Sequence, residues 1–495
     1  VVGSVKMCIR DRVMTCVLGM VVRREREIRA FVKTPFYRVV SSIALEGESF
    51  EGEWRAVEGS RYFQSPVLYK ENGFKKKEDA QKLICELSTQ QPLICTVEKI
   101  ERKKENKNPP LLFNLAELQN VCSKLFKISP DETLSIVQDL YEKKLVTYPR
   151  TDARVLSTAV AKEIYKNISG LRNYPQAGEA AQGALELGVY KNIAKTRYTN
   201  DKQITDHYAI IPTGQGLGAL KGLSLTAQRV YETIVRRFLS IFYPPAVYQK
   251  VSLVTKMENE SFFSSFKVLL SEGYLKIAAN SFAKKSMAEA SGKTPESEGE
   301  GEVSCDEALL AALQKLKKGD ILNINGLGIK EGETSPPKRY NSGSMILAME
   351  NAGQLIEDED LRSQIKGSGI GTSATRAEIL KKLFNIRYLS LNKKTQVITP
   401  TLQGEMIYDV VNCSIRQLLN PELTASWEKG LTYVAEGSIT EQEYMDKLEH
   451  FVRIRTKQVE DSHFQYALRQ FFDAAAQFYK KPERETAMKK RQNTL

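Results

Sequence analysis

Residues 143 to 156 read "KKLVTYPRTDARVL". A tyrosine stands directly before a proline and an arginine, with a threonine, an aspartate and a second arginine close behind. The residue before a proline is pushed out of helical geometry, so this order predicts that a preceding helix stops at Tyr148-Pro149. Ser157 then reads as the cap of the next helix, with Val160, Ala161, Ile164 and Ile168 on one face. Tyr148 is therefore expected in a short, constrained loop between helices. One reading makes it a core tyrosine at a helix end, and 21 tyrosines in the chain weigh for that. The other makes it a nucleophile. A free phenol has a pKa of about 10 and attacks poorly at neutral pH unless cations stabilise its anion and the substrate's developing charge. Arg150, permanently charged and with a planar fork suited to phosphate, is one such cation.

Upstream, Asn114 with Glu117, and Ser129 with Pro130 and Glu132, place an N-cap three residues ahead of a glutamate, the capping-box arrangement. Leu115, Leu118, Val121, Cys122 and Leu125, then Leu134, Val137, Tyr141 and Leu145, follow at helical spacing. The turn "KIS" between them suggests a helix-turn-helix unit. Residues 109 to 245 accordingly read as a helical body. On either side the pattern changes to strands: "YRVVSSIALEG" (37 to 47) and "PLICTVEKIERKKE" (92 to 105), then "AVYQKVSLVTKM" (246 to 257), "FFSSFKVLLSEGYLKI" (262 to 277) and "DILNINGLGIKEG" (320 to 332). The expected architecture is α+β and multidomain. A β-rich unit at 36–108 and 246–335 sends the chain out to build 109–245 and takes it back. Within it, 282–303 is rich in Ser, Gly, Glu and Lys and reads as a mobile loop. Residues 13–35 and 336–480 form a mostly helical base, in which a helix followed by the basic hairpin "YLSLNKKTQVITP" (388 to 400) is winged-helix-like. Residues 481–495 form a basic tail.

The 495 residues suit about three domains. Lysine and arginine number 72 against 60 acidic residues, a net charge of +12 that favours a polyanionic partner. Seven cysteines are scattered without a CxxC pair, which argues against zinc ribbons and a disulfide framework and fits a reduced compartment. No G-x-x-x-x-G-K-[ST] occurs, which argues against ATP-driven chemistry. The longest apolar stretch, "VMTCVLGMVV" (13 to 22), is too short to span a bilayer and reads as a partly buried helix. The chain starts at Val1 and its first dozen residues carry no periodic pattern, so 1–12 reads as an artefact or non-native start joined to a frame beginning near Arg12 or Val13.

Two further stretches carry chemistry. "ITDHYAIIPTG" (204 to 214) holds one of three histidines. His207 is by default a satisfied structural histidine, and alternatively a hydrogen-bond donor to phosphate or a proton-transfer group. In "KGSGIGTSATRAEILKKLF" (366 to 384), Gly367, Gly369 and Gly371 lead into a helix whose first turn carries Thr372, Thr375 and Arg376, which together suit an anion. The glycine spacing fails a strict dinucleotide fingerprint, and the preceding "EDEDLRSQIK" is acidic and helix-like where that motif needs a strand.

Taken in order, these features resemble the type IA DNA topoisomerases, and the bacterial topoisomerase III branch in particular. The matching segments are "RVMTCVLGMVVRREREIRAF" (12 to 31), "LVTYPRTDARVLS" (145 to 157), "TDHYAIIPTG" (205 to 214), "SPPKRYNSGSMILAMENAG" (335 to 353), "GIGTSATRAEIL" (369 to 380) and "LTASWEKGL" (423 to 431). The resemblance implies a ring-shaped fold with a helical tyrosine domain, a β-rich arch and a helical base. It makes Tyr148 the nucleophile that cuts one DNA strand and holds its 5′ phosphate. Arg150 would position that phosphate, His207 would contact the backbone near the cut, and Thr372, Thr375 and Arg376 would grip the single strand. It further implies a monomer in the cytoplasm, associated with the nucleoid, using neither ATP nor zinc. Mg²⁺ would be held in the full-length parent by the acidic residues of an N-terminal Toprim domain. Nothing before residue 12 encodes that domain, and "EDED" (357 to 360) reads as a solvated helix face, so these residues are expected to bind single-stranded DNA and to cut it little or not at all alone. Ser373 stands where the family usually has proline, and Asp11-Arg12 where it has glycine-arginine. Two rivals remain at this level. A non-enzymatic winged-helix DNA-binding protein leaves Tyr148-Pro149-Arg150 without a purpose, and a tyrosine recombinase needs its Arg and His upstream of a C-terminal tyrosine.

Overall fold

The computed structural model describes residues 2–89, 91–282, 302–304, 307–352 and 369–479. Most of the Ser/Gly-rich stretch, "EDED", Gly367 and the tail 481–495 lie outside them. Strand-forming segments with alternating burial make β1 (Pro35–Leu45), β2 (Glu48–Arg55), β3 (Leu68–Lys70), β4 (Gly73–Phe74), β5 (Ile94–Lys107), β6 (Ala246–Met257), β7 (Glu260–Ser271), β8 (Glu302–Ser304) and β9 (Ile321–Glu333). Their order is β2-β7-β6-β5-β9-β1, and β1 also pairs with β2, so six antiparallel strands close on themselves. Closure removes the exposed sheet edges. The short β3 and β4 extend from β1, and β8, which includes Glu302 and Val303 of the expected mobile loop, pairs parallel with β7.

The period-two pattern of β6 sends Val251 and Leu253 to the same interior as Val39, Ile43, Trp54, Phe262 and Phe266. Helix α2 (Lys77–Leu87) adds Ala80, Leu83 and Leu87 to this core. One acid is buried there: Glu260 accepts hydrogen bonds from Trp54 Nε1 (2.7 Å), Ser60 Oγ (2.6 Å) and Arg61 N (3.0 Å). A buried carboxylate is tolerable only when satisfied in this way. Replacing Glu260 by alanine strands these donors and should cost about 3–5 kcal/mol, read as a fall in the urea midpoint.

Lys107 lies opposite Ala246 at the end of the β5–β6 ladder, so the intervening chain departs and returns between neighbouring strands. It builds a second core around Phe113, Leu118, Cys122, Val137, Leu140, Ile168, Ile211, Val230, Ile234 and Phe238. Helices α3 (Leu115–Phe126) and α4 (Pro130–Glu142) begin at the expected caps, with Asn114 accepting from Glu117 N (2.9 Å) and Ser129 from Glu132 N (3.1 Å). Glu117 does not close a capping box; its carboxylate lies 3.8 Å from Arg237.

A third core joins the 29-residue helix α1 (Val2–Ala30), through Val13, Cys16, Val17 and Met20, to Met345, Ile346, Met349, Ile379, Leu383 and Ile398. Arg12 is buried against it, its guanidinium 5.4 Å from the Trp427 ring centre. The helix Arg376–Asn385 is followed by an antiparallel hairpin pairing Leu389–Leu391 with Ile398–Pro400. The second and third cores meet through small and polar groups: Ser123 Oγ lies 3.1 Å from Ser342 Oγ, and a Cβ on Gly343 would fall 2.7 Å from Asn120 Cα. Among the described residues no helix is long and apolar enough to cross a membrane.

Candidate active site

The expected continuation of α4 to Tyr148-Pro149 does not occur. The helix ends at Glu142, and Lys144 adopts a left-handed conformation, φ 60°. The cause is a competing backbone pairing. Thr147 N donates to Ile211 O (3.0 Å), Thr213 N to Leu145 O (3.0 Å), and Val146 pairs with Pro212 in an isolated antiparallel bridge. The tyrosine loop thus lies against the segment that carries His207, 59 positions later in the chain.

Two threonines fasten the pair. Thr147 Oγ1 donates to Ala209 O (3.0 Å) and accepts from Ile211 N (3.0 Å). Thr151 Oγ1 donates to His207 O (2.7 Å) and accepts from Ala153 N (3.1 Å). Pro149 is buried between them, while Arg150 is exposed beside the half-buried Tyr148. The result brings Tyr148 and His207 into ring contact, centroids 4.4 Å apart and planes inclined at 44°. Tyr141 closes the other side edge-on, at 5.5 Å. These groups open onto a cleft of about 420 Å³ that Lys144, Thr213 and Gln215 also line. Thr151→Val should cost about 1–2 kcal/mol and raise hydrogen exchange selectively across 207–211, because the hydroxyl that holds the His207 carbonyl is gone.

The glycine-threonine loop lies at the same junction. Thr372 and Thr375 precede the helix Arg376–Asn385 instead of sitting within its first turn, and they bond each other: Thr372 N donates to Thr375 Oγ1 at 3.0 Å. Both hydroxyls remain at or near the surface. Arg376 does not share that exposure. Only 5% exposed, it donates to Asp152 Oδ1 (2.9 Å) and lies 3.9 Å from Glu350. Asn114 Nδ2 donates both to Glu350 Oε1 (2.7 Å) and to Asp152 O (3.1 Å). Burial pushes the Glu350 carboxyl above its usual range, a push that Arg376 opposes and Asp152 reinforces. Arg376 therefore ties the loop of Tyr148 to the base.

Sequence reasoning paired Tyr148 with Arg150 and His207, but left out Asp152, Glu350, Asn114 and the two threonines. The threonines were visible as the flanks of "TYPRT"; nothing in the local sequence announces Glu350 as a partner. Among the described residues no three His, Cys, Asp or Glu side chains converge to hold a metal ion, and Asp152 is already committed to Arg376. The described residues around the cleft do not fit a divalent-cation site.

The closed β-barrel and the helical bodies thus present Tyr148 and His207 in one cleft, with Arg150 exposed next to Tyr148 in the chain. A family model described as DNA topoisomerase matches residues 10–446. DNA topoisomerase 3 of Bacillus licheniformis is 30% identical over 91% of the chain, and so is DNA topoisomerase 3 of Bacillus subtilis. The full-length topoisomerase I structure from Thermotoga maritima superposes with a TM-score of 0.60 at 21% identity, covering 91% of this chain and 63% of that one. The chain belongs to the bacterial type IA DNA topoisomerase family. It spans 56% of the length of those two Bacillus relatives.

Proposed function

We propose that Tyr148 is the nucleophile of a DNA strand-passage reaction. The observation that carries this is the ring contact between Tyr148 and His207, with Arg150 exposed alongside. In the proposed step the Tyr148 oxygen attacks a backbone phosphorus, the bond to the 3′ oxygen breaks, and the 5′ phosphate becomes a tyrosyl ester. The phenol gives up its proton and the departing 3′ oxygen gains one. One phosphodiester is exchanged for another, so the free 3′ hydroxyl reseals the strand without ATP. Arg150 pairs with the phosphate whose charge is redistributed, and His207 donates to the adjoining backbone. Thr372 and Thr375 offer hydroxyls to the strand, and Arg376, held by Asp152, positions them.

The substrate is a single-stranded segment of DNA, in keeping with the +12 charge. In the full-length parent the acidic residues of a Toprim domain would hold Mg²⁺ and supply its chemistry. These 495 residues alone should bind single-stranded DNA and cut it little. The test is to restore a Toprim domain, react with an end-labelled oligonucleotide and map the linkage. Protein joined to the 5′ phosphate end at the break supports the proposal; a 3′ linkage overturns it and favours the recombinase reading. A purely DNA-binding protein would give no adduct and has no use for the Tyr148–His207 contact.

A further inference from the structure

Among the described residues seven non-glycine positions adopt positive φ, and one of them, Lys144, lines the cleft with Tyr148 and His207. That conformation suits glycine and strains a lysine. Strained backbone marks function where the surroundings enforce it, and the surroundings of Lys144 do so. The Thr213 hydroxyl donates to the Lys144 carbonyl. Gly216, φ 72°, passes so close that a Cβ would come within 2.5 Å of Lys143 O. The 213–216 turn therefore clasps the end of α4 and holds Lys144 at the mouth of the cleft.

The charges select a ligand. The neighbouring Lys143 is paired with Asp139, whereas Lys144 makes no ion pair among the described residues. None of the described residues lining the cleft is a carboxylate, and Lys144 is its one lysine or arginine. Tyr141 and Tyr208 supply aromatic walls beside it. An ammonium in an acid-free, aromatic-walled cleft suits a nucleic-acid phosphate whose base stacks alongside.

Resting on the reading of Tyr148 above, we infer that Lys144 is a DNA-binding residue of the cleavage cleft. It takes a phosphate of the single strand adjacent to the one that Tyr148 attacks, and so helps set the register of the cut.

The test is a salt titration of the 495-residue protein with a fluorescent single-stranded oligothymidylate, comparing wild type, Lys144→Gly, Lys144→Asn, Lys144→Arg and Arg150→Ala. Glycine and asparagine both accept positive φ, so neither should lower Tm. Each should weaken binding about five-fold at moderate salt and reduce the slope of log affinity against log salt by about 0.7, one phosphate's worth. Lys144→Arg should keep the wild-type slope. If Arg150→Ala lowers the slope while both neutral Lys144 variants leave it unchanged, the inference is overturned and the proposed function stands. If the wild-type protein shows no salt-dependent binding of single-stranded DNA, the proposed function itself fails.

Discussion

Tyr148→Phe, made in a protein with a Toprim domain restored, should form no covalent DNA adduct and relax no supercoiled DNA. Removing a nucleophile costs on the order of 10⁴-fold or more in rate. The same variant should hold single-stranded DNA with nearly wild-type affinity. The phenylalanine ring keeps the contacts that Tyr148 makes with His207 at 4.4 Å and Tyr141 at 5.5 Å, so the cleft keeps its shape. Only the reacting oxygen is lost. This split separates a chemical role from a structural one, since a packing tyrosine would lose binding and stability together. Gel analysis of a labelled oligonucleotide reads the adduct. An adduct that persists at wild-type yield in the phenylalanine variant removes Tyr148 from the chemistry.

The second large effect lies at the junction beneath the loop. Asp152→Ala should destabilise the protein by about 2–3 kcal/mol, because it leaves the guanidinium of Arg376 buried with Ile370 O at 3.4 Å and Glu350 at 3.9 Å as its remaining partners. The figure sits below that for a fully buried pair because the Asp152 side chain is half exposed, and water screens it. The double variant Asp152→Ala/Arg376→Met should recover part of the loss, since removing the stranded charge is cheaper than keeping it. Denaturant titration of wild type, Asp152→Ala, Arg376→Met and the double variant decides; strictly additive losses would mean that the pair is not coupled.

Glu350 gives the same junction a pH signature. Its carboxyl holds its proton more tightly in the folded state than in the unfolded chain, chiefly through burial. Folding is therefore favoured at low pH by this group, and stability is lost as pH rises from about 4.5 through the raised folded value. Glu350→Gln keeps an acceptor for Asn114 and removes the titration. The difference in Tm between wild type and E350Q should grow with pH across that window and level off above it. A difference that does not change with pH would show that Glu350 is not perturbed as the geometry implies.

Local signals in the chain hold where the physics is local and give way where distant segments meet. Asn114, Ser129 and Ser157 each cap a helix as their side chains require, because an N-cap needs only its own oxygen and an amide three residues away. The alternation in 246–257 became β6 because its period of two is a property of consecutive residues. The end of α4 was misplaced by six residues. The proline rule is local and correct about Tyr148, but the helix had already been broken by pairing of Leu145–Thr147 with Ile211–Thr213, which no window of neighbouring residues contains. Arg376 reads from the sequence as part of an anion site at a helix start, whereas its depth depends on Asp152 and Glu350 arriving from elsewhere in the chain.

By itself the sequence determined the chemical inventory and the local geometry of this protein. Tyr148, Pro149 and Arg150 are fixed neighbours, caps and periodicities act within a few residues, and six motifs in order carry the family. Only the tertiary structure decided that β1 pairs with both β2 and β9 to close a barrel, that His207 lies on Tyr148, and that Arg376 serves Asp152. The reason is physical. A residue's type sets which bonds it is able to make, whereas the partner it meets, and whether water is present when it does, depend on register and burial among segments far apart in the chain.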